Sequence, residues 1–125
     1  MPKSLTFSND LVAAFQKAKI LGVRAGTEHR YTGVWVVVVK RRVFARSWND
    51  KPTGWYRAFK QTHGGTVKVG DLELAVSAKI VRSKTMCEAV TSAFAEKYNT
   101  KASLKWVKGF ADPVRLANTI EFTPG

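Results

Sequence analysis

Arg46, Ser47, Lys51, Thr53, Gly54 and Arg57 fall within twelve consecutive positions. The β-favouring run Phe44-Ala45-Arg46-Ser47-Trp48 enters a short polar stretch there, and a new helix follows. Backbone N–H groups at a helix N-terminus lack intrahelical acceptors and carry partial positive charge, so such an end binds anions. Cations and hydroxyls around that end make a phosphate cradle, and Trp55 and Tyr56 supply flat aromatic walls beside it. The expected ligand site is this strand-to-helix junction. Because Trp55 and Tyr56 are adjacent, they diverge by about 100° on a helix. One of the pair therefore belongs to the core.

The charge balance supports an anionic partner. The chain has 125 residues, 21 Lys and Arg against 9 Asp and Glu, and a formal net charge of +12. Between positions 40 and 60, seven cations (Lys40, Arg41, Arg42, Arg46, Lys51, Arg57, Lys60) face only Asp50, a net of +6. Phosphate, nucleic acid or an acidic surface would suit that excess.

Other chemistry is poorly represented. His29 and His63 have no Cys, Asp or Glu at metal-ligand spacing, so no metal site is expected. His63, just before Gly64-Gly65, reads as a helix C-terminal residue. Cys87 is the lone cysteine, which excludes an internal disulfide and suits a reducing compartment. Beside an apolar helix stripe it reads as a buried, inert thiol. Neither Gly54 nor Gly64-Gly65 matches a P-loop or dinucleotide fingerprint. No side-chain constellation for catalysis is present. That fits a protein whose cofactor carries the chemistry, and it fits a binding module equally well.

The elements that must position the junction follow from periodicity. Ser8-Asn9-Asp10 caps a first helix, apolar at Leu11, Val12, Phe15 and Ala18 and ending near Lys19. Ile20 to Val23 and Arg30-Tyr31 read as short strands around a Gly26-Thr27 turn. Gly33 to Val39, apolar on both faces, reads as a central strand with Trp35 in the core. Lys40-Arg41-Arg42 is the tip of a hairpin returning through Val43 to Trp48. A helix over Gly54–Thr62 ends at Gly64-Gly65. Strands over Thr66–Val69 and Leu72–Val81 are joined at Gly70-Asp71. Ser83 caps a helix over Lys84–Tyr98, with Met86, Val90, Phe94 and Tyr98 on one stripe. Lys105-Trp106-Val107 and Asn118 to Phe122 read as closing strands. The expectation is a single α+β domain over 1–125, a small, mainly antiparallel split β-barrel of five to seven strands with about three helices. The longest apolar run, Val34 to Val39, is too short to span a bilayer, and Met1-Pro2-Lys3-Ser4 opens no apolar signal region. A cytoplasmic protein without a membrane partner is expected.

The order of motifs resembles an uncharacterised bacterial family grouped with the split β-barrel flavin-binding proteins, beside the pyridoxamine-phosphate oxidases and the deazaflavin-dependent reductases. The residues that carry it are Phe44-Ala45-Arg46-Ser47, Gly54-Trp55-Tyr56-Arg57-Ala58, Gly64 to Gly70, Ala95-Glu96-Lys97-Tyr98 and Ala117 to Pro124, so the match runs from about Thr32 onward. Lys40-Arg41-Arg42 departs from it, because the family more often has a Gly-Asp turn there. The resemblance implies a homodimer that holds FMN or a deazaflavin. Arg46, Ser47, Lys51 and Arg57 would meet its phosphate, and Trp55 and Tyr56 would line the neighbouring groove. It further implies possible oxidoreductase activity on a small molecule. The alternatives are a basic nucleic-acid-binding module and a cofactor-free dimeric barrel. No known RNA or DNA motif supports the first alternative.

Overall fold

The computed structural model describes residues 7–26, 30–48 and 54–125. Its centre is a seven-stranded antiparallel sheet in the order β2-β1-β5-β6-β7-β4-β3. The strands are β1 (Leu21–Ala25), β2 (Thr32–Val34), β3 (Val37–Val39), β4 (Arg42–Arg46), β5 (Gly64–Val69), β6 (Leu72–Ile80) and β7 (Thr119–Pro124). Helices α1 (Asn9–Lys17), α2 (Trp55–Thr62), α3 (Lys84–Lys97) and α4 (Lys101–Phe110) pack around it, with a single turn, α5 (Pro113–Leu116), before β7. The α+β class and the curled, antiparallel half-barrel are as the sequence implies.

The apolar run at 33–39 is the first correction. It is not one central strand: Trp35-Val36 divides it into β2 and β3, and these are the opposite edges of the sheet. Three Cα steps separate Val34 from Val37, which allows at most about 11 Å between the edges there. The sheet must therefore curl almost onto itself. The Val36 backbone is satisfied by side chains instead of a ladder. Val36 N–H donates to Tyr98 Oη (3.1 Å), and Val36 C=O accepts from Lys97 Nζ (2.7 Å). Tyr98 Oη also donates to Lys19 C=O (2.8 Å), tying the end of α3 to the chain entering β1.

The second correction is α4, where the sequence reading placed a closing strand at Lys105-Trp106-Val107. Thr100 caps this helix, its side chain accepting from Ser103 N–H (3.2 Å), and Val107 and Phe110 bury at a spacing of three. Smaller shifts concern the turns. Lys40 and Arg41 form the β3–β4 tip with φ of 50° and 66°, and Arg42 already belongs to β4. Left-handed backbone at a non-glycine residue costs about 1 kcal/mol, which is why such tips favour glycine or asparagine. His63, not Gly64, closes α2, with φ of 59° and its N–H donating to Phe59 C=O (2.8 Å). Gly64-Gly65 instead opens β5. A Cβ at Gly65 would overlap the backbone of Arg24 on β1, so this strand pair requires glycine.

Strand β4 separates two cores. Val43 and Ala45 join Phe15, Leu21, Val23, Phe59, Ile120 and Phe122 inside the half-barrel, beneath α1 and α2. Phe44 faces the other way, into a layer with Val37, Val90, Phe94, Tyr98 and Phe110 from β3, α3 and α4. Residues two apart on a strand share a face, so Arg42 and Arg46 also point toward this second layer.

Candidate functional site

All four tryptophans of the chain line one open groove of about 380 Å³. Trp35 comes from the β2–β3 link, Trp48 from the end of β4, Trp55 from the start of α2 and Trp106 from α4. Ile20, Thr32, Gly33, Val34, Phe110 and Arg46 complete the lining. Aromatic planes at this density favour a flat, unsaturated ligand, because offset and edge-on ring contacts contribute beyond area burial.

The walls are held by their neighbours. Trp35 stacks on Tyr98 with centroids 4.1 Å apart and planes 4° from parallel. Trp48 lies under the Arg115 guanidinium, 3.5 Å from its ring centroid, while Arg115 Nε donates to Trp48 C=O (3.0 Å). On another side Trp48 rests against Gly109, where a Cβ would overlap its ring. Phe110 and Trp106 pack against Trp48 at 5.7 and 5.2 Å between centroids. Trp106 is 46% exposed and Ile20 55%, so the apolar rim is open to solvent.

Arg46 lies at this groove yet is 2% exposed. Its Nε donates to Thr119 Oγ1 (2.7 Å), Nη1 to Thr91 Oγ1 (2.7 Å) and Phe110 C=O (3.0 Å), and Nη2 to Cys87 C=O (3.0 Å). Every acceptor is neutral. Burial lowers its pKa to about 10, because a desolvated cation is disfavoured.

The sequence-predicted residues divide accordingly. Arg46 and Trp55 meet at the groove. Tyr56 is the core member of its pair, 2% exposed, with its hydroxyl donating to Ala117 C=O (3.0 Å). Ser47 is buried, and its backbone extends the β4–β7 pairing through Asn118. Gly54 is the N-cap of α2, and Arg57 lies half-buried in its first turn, outside the groove lining. Lys51 and Thr53 lie outside the described residues.

Sequence reasoning missed Trp35 as a wall, having assigned it to the core, and it missed Trp48, Trp106 and Phe110. The available signal was that only four tryptophans exist, each in a separate segment of the chain. Cys87 is buried, its thiol facing Val81 and Leu116 carbonyls at 3.7 and 3.6 Å, as expected of an inert thiol. Among the described residues no cluster of potential metal ligands occurs, and no helix is long and apolar enough to cross a membrane.

Comparison with solved structures finds a similar fold in the crystal structure of conserved hypothetical protein Rv2991 from Mycobacterium tuberculosis. The TM-score is 0.62 at 12% identity, over 100% of this chain and 84% of that one. At that identity the likeness establishes the fold alone. No curated protein matches the chain. A family model matches residues 11–121, and the chain belongs to that bacterial family, described as "Uncharacterized protein conserved in bacteria (DUF2255)".

Proposed function

We propose that the protein binds a planar, phosphate-bearing cofactor of the flavin class, FMN or a deazaflavin, in the four-tryptophan groove. The convergence of all four tryptophans from separate elements carries this reading. Trp55 is the first residue of α2, so the groove adjoins the N-terminal end of that helix. A ring system lying between the tryptophans would leave its phosphate chain near that end, where helix N–H groups favour an anion. Ser47, Gly54 and Arg57 are then the described phosphate candidates, with Lys51 and Thr53 completing the cradle that the sequence implies. Arg46 and Trp55 face the ring system, and Tyr56 supports α2 from beneath. A bound flavin would supply electron chemistry that the side chains do not, so oxidoreductase activity on a small molecule is part of the proposal. A cytoplasmic homodimer, as in the split-barrel proteins the sequence resembles, is its assembly.

The absorbance spectrum of freshly purified protein, followed by titration with FMN and with a deazaflavin cofactor, tests this reading. A bound yellow chromophore or saturable micromolar binding of either supports it. No chromophore and no binding of either removes it. Light scattering checks the dimer.

A second reading has its own observation. Lys101, Lys105 and Lys108 share one exposed face of α4 beside the exposed Trp106, with Lys105 Nζ 5.2 Å from that ring. Cations with a stacking surface suit single-stranded nucleic acid. That reading requires oligonucleotide affinity falling steeply with salt, and undetectable binding at moderate salt rejects it.

A further inference from the structure

Arg46 places an uncompensated charge at the groove. Among the described residues it makes no ion pair, and all four of its acceptors are hydroxyls or backbone carbonyls. A guanidinium has five N–H donors. The hydrogen bonds use one on Nε, two on Nη1 and one on Nη2, leaving one Nη2 hydrogen without an acceptor among the described residues. The geometry satisfies the group's shape and leaves its charge standing. Burying an unpaired cation is unfavourable by several kcal/mol, and an anion brought into the same low-dielectric site relieves that penalty. The residues that line the groove offer no negative group. Arg24 and Arg42, also on the sheet, differ: Arg42 is neutralised by Glu121, and Arg24 does not line the groove.

We infer that the groove selects planar aromatic ligands bearing a negative charge, with the acidic group held at Arg46 and the ring between the tryptophans. This rests on the groove of the proposed function and adds a second anionic contact, separate from any phosphate at the α2 end. It also stands for aromatic acids other than flavins.

Calorimetry with three probes of one ring system tests it: 2-naphthoate, 2-naphthalenemethanol and 2-naphthylmethylamine. In about 0.15 M NaCl, naphthoate should bind at least about tenfold tighter than the alcohol, with the amine weakest. Arg46→Met should bring naphthoate within about threefold of the alcohol, whereas Arg46→Lys, which keeps the charge, should retain most of the preference. Should Arg46→Met fail to fold, salt decides on the wild-type protein. Roughly 0.5 M NaCl screens exposed lysines but spares a buried contact, so the preference should persist. Binding of no probe, equal binding of all three, a preference erased by salt, or one unchanged in Arg46→Met overturns the inference. Failure of FMN and deazaflavin to bind while naphthoate is preferred removes the cofactor reading alone. Flavin binding with indifference to probe charge removes this inference alone.

Discussion

Arg42 and Arg46 stand four residues apart on the same face of β4, and the fold treats their charges in opposite ways. Arg42 makes a bidentate pair with Glu121 on β7, Nε to Oε2 at 2.9 Å and Nη2 to Oε1 at 2.7 Å, with Lys79 Nζ 3.8 Å from Oε1. That hydrogen-bonded partner raises the Arg42 pKa, although burial opposes it. Arg46 has neutral acceptors from β7, α3 and the end of α4, and burial lowers its pKa to about 10. Arg42 is a neutralised clip between two strands. Arg46 is a structural hub that keeps its charge at the four-tryptophan groove. The two arginines thus differ both in counter-ion and in burial, Arg42 paired and part-exposed, Arg46 buried without an acidic partner among the described residues.

Replacement of the hub should have the largest effect. Arg46→Met removes four hydrogen bonds joining three elements, and we expect a loss of about 3 kcal/mol in urea denaturation, alongside the lost preference for anionic probes. Arg42→Ala should cost about 2 kcal/mol, because it strands the buried Glu121 carboxylate with only Lys79 nearby, and it should leave probe affinity unchanged. Equal effects of the two variants on binding would break the comparison. Gly109→Ala pushes against the Trp48 ring and should cost about 1 kcal/mol, with a several-fold loss of aromatic-probe affinity by calorimetry.

The smallest effect concerns a third, half-buried cation. Lys97 Nζ donates to Phe15 and Val36 carbonyls (3.1 and 2.7 Å), and its pKa is lowered to about 8 by burial and then by Lys19. From about pH 8 to the unfolded lysine value near 10.4, the folded chain has released a proton that the unfolded chain still binds. Stability therefore gains with rising pH across that window. Urea midpoints at the two ends should show a gain in wild type that Lys97→Met lacks. A loss of stability from Lys97 deprotonation would contradict the assignment.

Much of the scaffold was legible because local signals agreed with tertiary packing. Ser8, Ser83 and the Gly70-Asp71 turn between β5 and β6 placed their elements within a residue or two. The run at 33–39 was not legible as two strands, because Trp35 and Val36 are as β-favouring as their neighbours; only the closure of the sheet separates them. Trp106-Val107 misled for a similar reason, since β-propensity competed with a Thr100 cap and a burial spacing of three. At the site, Arg46 and Trp55 were found through the strand-to-helix junction. The remaining walls come from residues spread between 35 and 110 in the chain, and no local pattern announces that these meet. Tyr56 could not be told from Trp55 until α2 was set against the sheet.

The central claim is that the four tryptophans form one ligand site, and the indole N–H signals in a heteronuclear NMR titration with FMN test it most directly. With only four tryptophans in the chain, each signal reports one wall. The account predicts that all four shift and saturate with a single affinity, and that Arg42→Ala does not alter it. Signals that stay fixed at saturating FMN, or move one by one with unrelated midpoints, would contradict it.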